Sequence, residues 1–448
     1  MIDKKSEVMT VVANQTQKSL TREQKEAVGL LSIGTFLEYF DLMLFVHMAV
    51  LLNELFFPKT DPFTSSLLAA FAFCSIYVFR PFSALLFGWI GDNIGRKTVV
   101  IISTLFMGLS CFIMANLPTY DQIGLTASVI MIICRAVQGI SSMGEIIGGE
   151  IYLTEITKPP AQYSIVSLLA FSAAAGSTAA LGIATLTTSL DFNWRMGFWF
   201  GAGVAMVGVV ARTTLKETKE FVDAKFRLNE ILASNNVSTN LLKQDPFLNK
   251  SISKLTVLSY FLMHSGWPVC FYLAYIHCGN ILMNNFSYTP EQVIHHNVIV
   301  SIPQLLAALL LRVYLSSKVH PLKILKVILV CFSVFIVLFP YILSNTHSTY
   351  IILICQMFIM VFALDVMPAV PILYSHFPIL KRFSYTSVTY AISRALIYIV
   401  TSFGFAYTTK YFNNYGILII VIPVIVGYTL GMLHFNKLEL GDGSLKSQ

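Results

Sequence analysis

Charge is what this sequence has least of. Only 12% of its 448 residues are Asp, Glu, Lys or Arg, about half the share found in soluble globular proteins. A soluble body of this length needs a polar shell that so few charges cannot supply. Hydrophobic residues make up 56% and the mean hydropathy is +0.70. Cysteine is sparse and odd in number, and Cys74, Cys111, Cys134, Cys270, Cys278, Cys331 and Cys355 all sit in apolar stretches. That argues against a disulfide framework, and no Cys/His spacing fits a metal site. Residues 1–27 have no apolar core of the kind a cleavable signal peptide needs, so the first apolar span is expected to direct insertion. The net charge of +7 is not gathered into a basic patch, so it carries no nucleic-acid signal. These absences exclude a soluble enzyme, a nucleic-acid binder and a disordered chain. They leave lipid as the solvent for most of the sequence.

What is there is a series of apolar runs. A transmembrane helix needs about 20 mostly apolar residues. Twelve such spans are expected, at 28–57, 64–90, 98–117, 123–153, 163–187, 194–213, 254–284, 291–317, 321–344, 348–376, 383–409 and 413–436. The joins at 317–321 and 409–413 are short. Residues 214–253 are polar and divide the spans six and six, a layout that suggests two similar halves. The expected organisation is an N-terminal segment 1–27, a six-helix bundle 28–213, a central loop 214–253, a second bundle 254–436 and a tail 437–448. The loops that share a side with the termini carry 23 Lys and Arg; the opposite loops carry 3, namely Lys59, Arg195 and Lys410. By the positive-inside rule both termini are expected in the cytoplasm of a multi-pass protein of the cell (inner) membrane.

Several charges fall inside the spans: Arg80, Arg135, Arg312, Arg394, Glu38, Asp41 and Asp365. Each costs at least ~2.5 kcal/mol at the bilayer centre, so such residues face a bundle interior or a wet cavity and mark a pathway. Glu38 and Asp41 are three apart, on neighbouring positions of one helix face. Two close carboxylates resist double ionisation, so one of them could carry a proton; a structural ion pair with Arg80 or Arg135 is the alternative. Arg135, Gln138, Ser142 and Glu145 form a polar stripe on the fourth span, with glycines alongside that permit close packing. Tyr260, His264, Trp267, Phe271 and Tyr275 form an aromatic stripe on the seventh, interrupted by Pro268. It is either core or a cation–π wall, and His264 is read as a satisfied interior histidine. Ser387, Tyr390, Arg394 and Tyr398 make a further stripe, where Arg394 pairs with Asp365 or with an anionic solute. Gly91 to Thr98 superficially matches a phosphate-binding loop, but Arg96 stands where the pattern requires glycine and the segment joins two membrane helices.

The run Gly88-Trp89-Ile90-Gly91-Asp92-Asn93-Ile94-Gly95-Arg96-Lys97 fits G-x-x-x-D-x-x-G-R-K. It resembles the loop between the second and third helices of the major facilitator superfamily. Gly34-Thr35-Phe36-Leu37-Glu38-Tyr39-Phe40-Asp41, Arg80-Pro81, Arg135-Ala136-Val137-Gln138-Gly139 with Gly144-Glu145 and Gly148-Gly149, Asn193-Trp194-Arg195, Leu215 to Thr218, and His376-Phe377-Pro378 with Arg382 are similar to motifs of its metabolite:proton symporters. That family carries proline/betaine, α-ketoglutarate, citrate and shikimate. The resemblance covers about residues 28–410.

The resemblance implies an all-α integral membrane fold of twelve helices in two six-helix halves, working by alternating access without a cofactor or metal. It implies proton coupling at Glu38, Asp41, Arg135 and Glu145. Solute contact is expected at Arg80, Tyr39, Trp267, Tyr390 and Arg394. A gate is expected from Gly88, Asp92, Gly95, Arg96 and Lys97 with an acid ending the fourth span, Glu150 or Glu155. The segment Tyr314 to Lys323, which corresponds in the second half, has neither acid nor glycine, so its gate is built differently. The expected partners are a small solute, protons and the bilayer, with no nucleic acid. The expected function is import of a zwitterion such as proline or betaine with protons; a dicarboxylate or keto-acid symporter and a transport-inactive sensor are the alternatives. A membrane enzyme would need an Asp/His cluster at the bilayer surface, which the loops lack. Glu38→Gln or Asp41→Asn should abolish proton-coupled accumulation while leaving expression intact, which uptake into vesicles under an imposed pH gradient measures.

Overall fold

The structure, a computed structural model, describes residues 17, 19–48, 52, 55–58, 76–189, 193–213, 222–223 and 252–441. Expectations on residues 1–16, Cys74, the start of the second span, nearly all of the central loop and the end of the tail lie outside these. Every regular element among the described residues is helical, apart from an isolated bridge between Gln17 and Pro160.

Helix α1 (Arg22–His47) starts six residues before the expected span at 28 because its entry is capped. The Thr21 hydroxyl accepts from the Gln24 amide N–H at 3.2 Å, and the Gln24 side chain accepts from the Thr21 N–H at 2.9 Å. This reciprocal box satisfies two helix-end donors. Helix α2 (Arg80–Asn93) ends at a turn whose Gly95 has φ 148°, a conformation that a Cβ opposes. Helices α3 (Arg96–Asn116), α4 (Leu125–Ile156), α5 (Ala161–Ser189) and α6 (Arg195–Arg212) complete the first half. In this half α1 packs along α5, and α3 lies against both α4 and α6. A Cβ on Gly176 of α5 would collide with the Phe36 carbonyl of α1. The bare glycine is what lets those two backbones meet, as small residues do in membrane bundles.

The second half is less regular. Helix α7 (Lys254–His264) breaks at Ser265, resumes as α8 (Gly266–Phe271), widens to a π-helix at Tyr272–His277 and ends as α9 (Cys278–Phe286). Helix α10 (Pro290–Ala307) also runs into a π-helical stretch, Ala308–Tyr314. Helix α11 (Pro321–Asn345) is continuous. The span expected at 348–376 is not: it is α12 (Thr349–Val361), an unwound stretch 362–369 and α13 (Val370–Ser375). Helices α14 (Arg382–Phe412) and α15 (Gly416–Gly441) close the bundle, joined at Asn413–Tyr415.

Irregular backbone at membrane depth must be satisfied within the protein. In the unwound stretch the Asp365 N–H reaches the Ala363 carbonyl at 2.7 Å, and the Tyr428 hydroxyl donates to the Asp365 carbonyl at 2.8 Å. A Cβ on Gly266 would stand 2.5 Å from the Leu364 carbonyl, so the break in the seventh span nests against the break in the tenth.

Among the described residues seven stretches are long and apolar enough to cross a membrane, the last of them, Ile379–Gly441, holding both α14 and α15. The outer faces of the helices show Phe82 on α2, Met206 and Val210 on α6 and Leu433 on α15, each more than half exposed. That much continuous apolar surface belongs in lipid. The halves meet where α2 lies along α14 and α5 along α10. Gly176→Leu should lower stability by about 1–3 kcal/mol through overpacking, whereas Gly182→Ala, with open space around it, should not; thermal unfolding of the detergent-solubilised protein compares them.

Candidate functional site

Between the halves lies a cavity of about 90 Å³, room for several waters or one small solute. The first half contributes Thr35, Tyr39 and Met43 of α1, Glu150 of α4 and a small-residue wall of α5 around Ala173 and Ser177. The second contributes His264, Trp267, Phe271, Gln304, Arg312, Asp365, Tyr390 and Arg394. The two breaks place this chemistry: Trp267 sits in the turn that follows the α7 kink, and Asp365 in the unwound stretch between α12 and α13.

Asp365 is paired with Arg312, Oδ2 to Nε 3.8 Å. Of the two partners the sequence leaves open for Arg394, Asp365 is thus engaged by Arg312 instead. The Arg312 guanidinium also lies 5.8 Å from the Trp267 ring, while the Arg394 guanidinium lies 4.8 Å from that of Tyr390. Arg394 Nε and Nη1, Arg312 Nη2 and both ring nitrogens of His264 are buried with no hydrogen-bond partner among the described residues. His264 is therefore not the satisfied interior histidine expected. Unmet donors in a buried wall carry a desolvation cost, which a polar solute would relieve.

Of the residues expected to touch solute, Tyr39, Trp267, Tyr390 and Arg394 line this cavity and Arg80 does not. Arg80 is buried with its guanidinium 4.7 Å from the Tyr77 ring. Tyr77 in turn stacks on Tyr398 of α14 at 4.0 Å, across the seam. Glu38 and Asp41 are 3% and 1% exposed, and neither lines the cavity. A Cβ on Gly201 would collide with the Asp41 carboxylate, so Asp41 is turned toward α6. Arg135 donates to Gln138 at 3.0 Å within α4. The side chains of Glu145 and Arg96 lie outside the described residues.

The expected gate residues gather at the end of the bundle that carries the start of α1 and the finish of α15. Asp92 accepts from the backbone N–H of Phe383 at 3.3 Å and of Ser384 at 3.0 Å, and from the Ser384 hydroxyl at 2.6 Å. These are first-turn donors of α14, so a carboxylate from one half caps a helix of the other and meets its positive dipole end. Gly88 and Gly91 make the approach possible, since a Cβ would stand 2.9 Å from Ser384 Cα and 2.6 Å from the Phe383 ring. Beside this, Glu155 and Arg382 form a nearly dry ion pair, Oε1 to Nη1 3.2 Å. Glu150, the alternative gate acid, lies deeper: it lines the cavity and accepts from the Tyr374 hydroxyl at 2.5 Å. Lys97 reaches the Thr213 carbonyl at 2.7 Å, which ties α3 to the end of α6. The second seam at this end, between α5 and the turn that follows the π-helical stretch after α10, holds a contact of the Ser164 and Ser316 hydroxyls at 3.2 Å and an edge-on contact of the Tyr163 and His320 rings.

A family model described as Major Facilitator Superfamily matches residues 31–378. Over 204 residues the chain is 30% identical to a proline/betaine transporter of Escherichia coli K12, covering 44% of this chain and 41% of the relative. It is 28% identical, over the same length, to a glycine betaine/proline/ectoine/pipecolic acid transporter of Dickeya dadantii. The match thus spans under half the length of these relatives. Among solved structures, the proton:xylose symporter XylE superposes with a TM-score of 0.74 at 14% identity, covering 92% of this chain and 95% of that one. The human organic anion transporter MFSD10 superposes at 0.67 and 14%, covering 93% and 99%. At such identities the likeness is one of fold.

Removing the cap should loosen this end. With charged hydrogen bonds worth ~1.5–3 kcal/mol each, Asp92→Ala should raise the open fraction about tenfold or more. Labelling of a single cysteine at position 164, in a cysteine-free background, reads the change.

Proposed function

The chain belongs to the Major Facilitator Superfamily, and within it we propose a proton-coupled symporter that imports a small zwitterionic solute, such as proline or betaine, by alternating access. The observation that carries this reading is that one cavity gathers cations, a carboxylate and aromatic rings. Arg394 and His264 carry buried nitrogens with no hydrogen-bond partner among the described residues, suited to a solute carboxylate. Asp365 and Trp267, which Arg312 engages here, are groups for which a solute ammonium would compete. A solute that is neutral overall but charged at both ends meets both without leaving net charge in a dry site. The names of the two relatives at about 30% identity point the same way.

In this reading Arg394, not Arg80, receives the carboxylate, and Tyr39, Tyr390 and Trp267 form the walls. Glu38 and Asp41, with Arg135 and Glu145 on α4, take the proton within the first bundle, one helix face away from Tyr39. The gate is the clasp of Asp92 and Glu155 on α14, flanked by Gly88, Gly95, Arg96 and Lys97. The 23-to-3 loop asymmetry puts that clasp and both termini on the cytoplasmic side of the inner membrane. A dicarboxylate or keto acid is the second reading, and the unpartnered Arg312 Nη2 is the observation in its favour.

The test is uptake into proteoliposomes under an inward pH gradient, with labelled proline, glycine betaine, α-ketoglutarate and citrate, each with and without a protonophore. Protonophore-sensitive accumulation of proline or betaine is expected. Accumulation of a dicarboxylate alone would establish the second reading, and no flux by folded protein would leave a sensor. Arg394→Gln should raise KM about tenfold or more, the scale of a lost charged hydrogen bond, and concentration-dependent initial rates measure it.

A further inference from the structure

The two carboxylates of α1 do not line the cavity, whereas one other acid touches both the solute space and the gate. We propose that Glu150 is a proton carrier that couples solute binding to closure of the terminal end; the proposal rests on the proton-coupled reading above. Glu150 is 7% exposed on α4 and lines the cavity. Among the described residues its carboxylate accepts from a neutral donor, the Tyr374 hydroxyl on α13 in the opposite half, at 2.5 Å. Among the described residues no Lys, Arg or His forms an ion pair with it.

A carboxylate so placed is costly to keep ionised, because a single hydrogen bond does not replace its lost hydration. The groups around it set which state holds. Arg394, Asp365, His264, Tyr39 and Tyr390 line the same cavity, and Tyr374, with Tyr260 beside it, packs from the other half. Arg394 is also the group placed to receive the solute carboxylate. A solute carboxylate engaging Arg394 would add a second negative charge to the cavity that Glu150 also lines, so solute binding draws a proton from water onto Glu150. The step is an addition of one proton to Oε1 or Oε2, taking the side chain from −1 to neutral. The neutral acid is a poorer acceptor for Tyr374 than the carboxylate, so the crossing between α4 and α13 weakens and the terminal end is freed to open. Exposure to water on that side then returns the proton to solution.

The experiment compares wild type, Glu150→Gln and Tyr374→Phe in proteoliposomes with labelled proline and glycine betaine. It reads accumulation driven by a pH gradient and, separately, exchange of labelled for unlabelled solute with no gradient. It is paired with labelling of a cysteine at position 164, in a cysteine-free background, between pH 5.5 and 8, a range that spans neutrality. Glu150→Gln is expected to reduce accumulation to the protonophore-treated level while losing much less exchange. Its position-164 labelling should be fast and independent of pH, where wild type is slow at high pH and faster at low pH. Tyr374→Phe should also label fast at high pH. Gradient-driven accumulation by Glu150→Gln equal to wild type, or pH-dependent labelling unchanged in both variants, would overturn the proposal. No protonophore-sensitive flux in wild type would instead overturn the transport reading beneath it, and the labelling series would still decide whether Glu150 governs the gate.

Discussion

Hydrocarbon solvates neither a charge nor an unpaired backbone group, and the arrangement of this molecule follows from that constraint. Charges inside the spans are turned inward: Arg80, Arg135, Arg312, Arg394, Glu38 and Asp41 are all less than a tenth exposed. The unwound stretch between α12 and α13 survives because Tyr428, Cys270 and its own turns supply hydrogen-bond partners. The same constraint makes the interior valuable. An unmet guanidinium donor in such an interior carries a desolvation cost, and those of Arg312 and Arg394 belong to side chains that line the cavity.

The halves divide the work unevenly. The first is built of long, nearly regular helices that meet through glycine contacts such as Gly176 on Phe36. It supplies the acids of the clasp. The second carries the kinks, the π-helical stretches and most of the charged lining: His264, Arg312, Asp365 and Arg394. Broken helices with their ends turned toward a central site recur in transporters, since a helix interruption is the way to aim backbone and side chains at a ligand at membrane depth. Here the two interruptions touch, so the position of Trp267 and that of Asp365 are not independent.

The spans were legible in the sequence because hydropathy and charge spacing report the solvent directly. The short join at 317–321 is a break, the one expected at 409–413 falls instead at Asn413–Tyr415 because α14 runs on to Phe412, and Asp92 and Glu155 do reach α14 across the seam. Two things were not legible. The run from Val361 to Ala369 is almost wholly apolar, so hydropathy reads through it; Asp365 and Pro368 were its only signs of unwinding. The direction in which a buried charge faces was the other. Tyr39 and Glu38 are adjacent, yet about 100° apart around α1, so only the former reaches the cavity. Arg80 and Arg394 look alike as intramembrane cations, and which of them meets the solute space depends on packing between halves that no local pattern encodes. Arg312 and Asp365 were visible as charges, but their pairing joins a π-helical stretch to an unwound one.

The terminal end is fastened along two seams of very different strength. Between α2 and α14 there is a charged helix cap with a nearly dry ion pair beside it; between α5 and the turn that follows the π-helical stretch after α10 there are two neutral hydroxyls 3.2 Å apart and an edge-on contact of two rings. Such a closure behaves as a door with a spine and a free edge. On the proposed cycle the hydroxyl edge would part first and the clasp after it, so the first file of water to reach the cavity from this end would run down beside α5, past the small side chains of Ala173 and Ser177. An imported solute would then leave off-axis, along a wall with few polar groups to hold it.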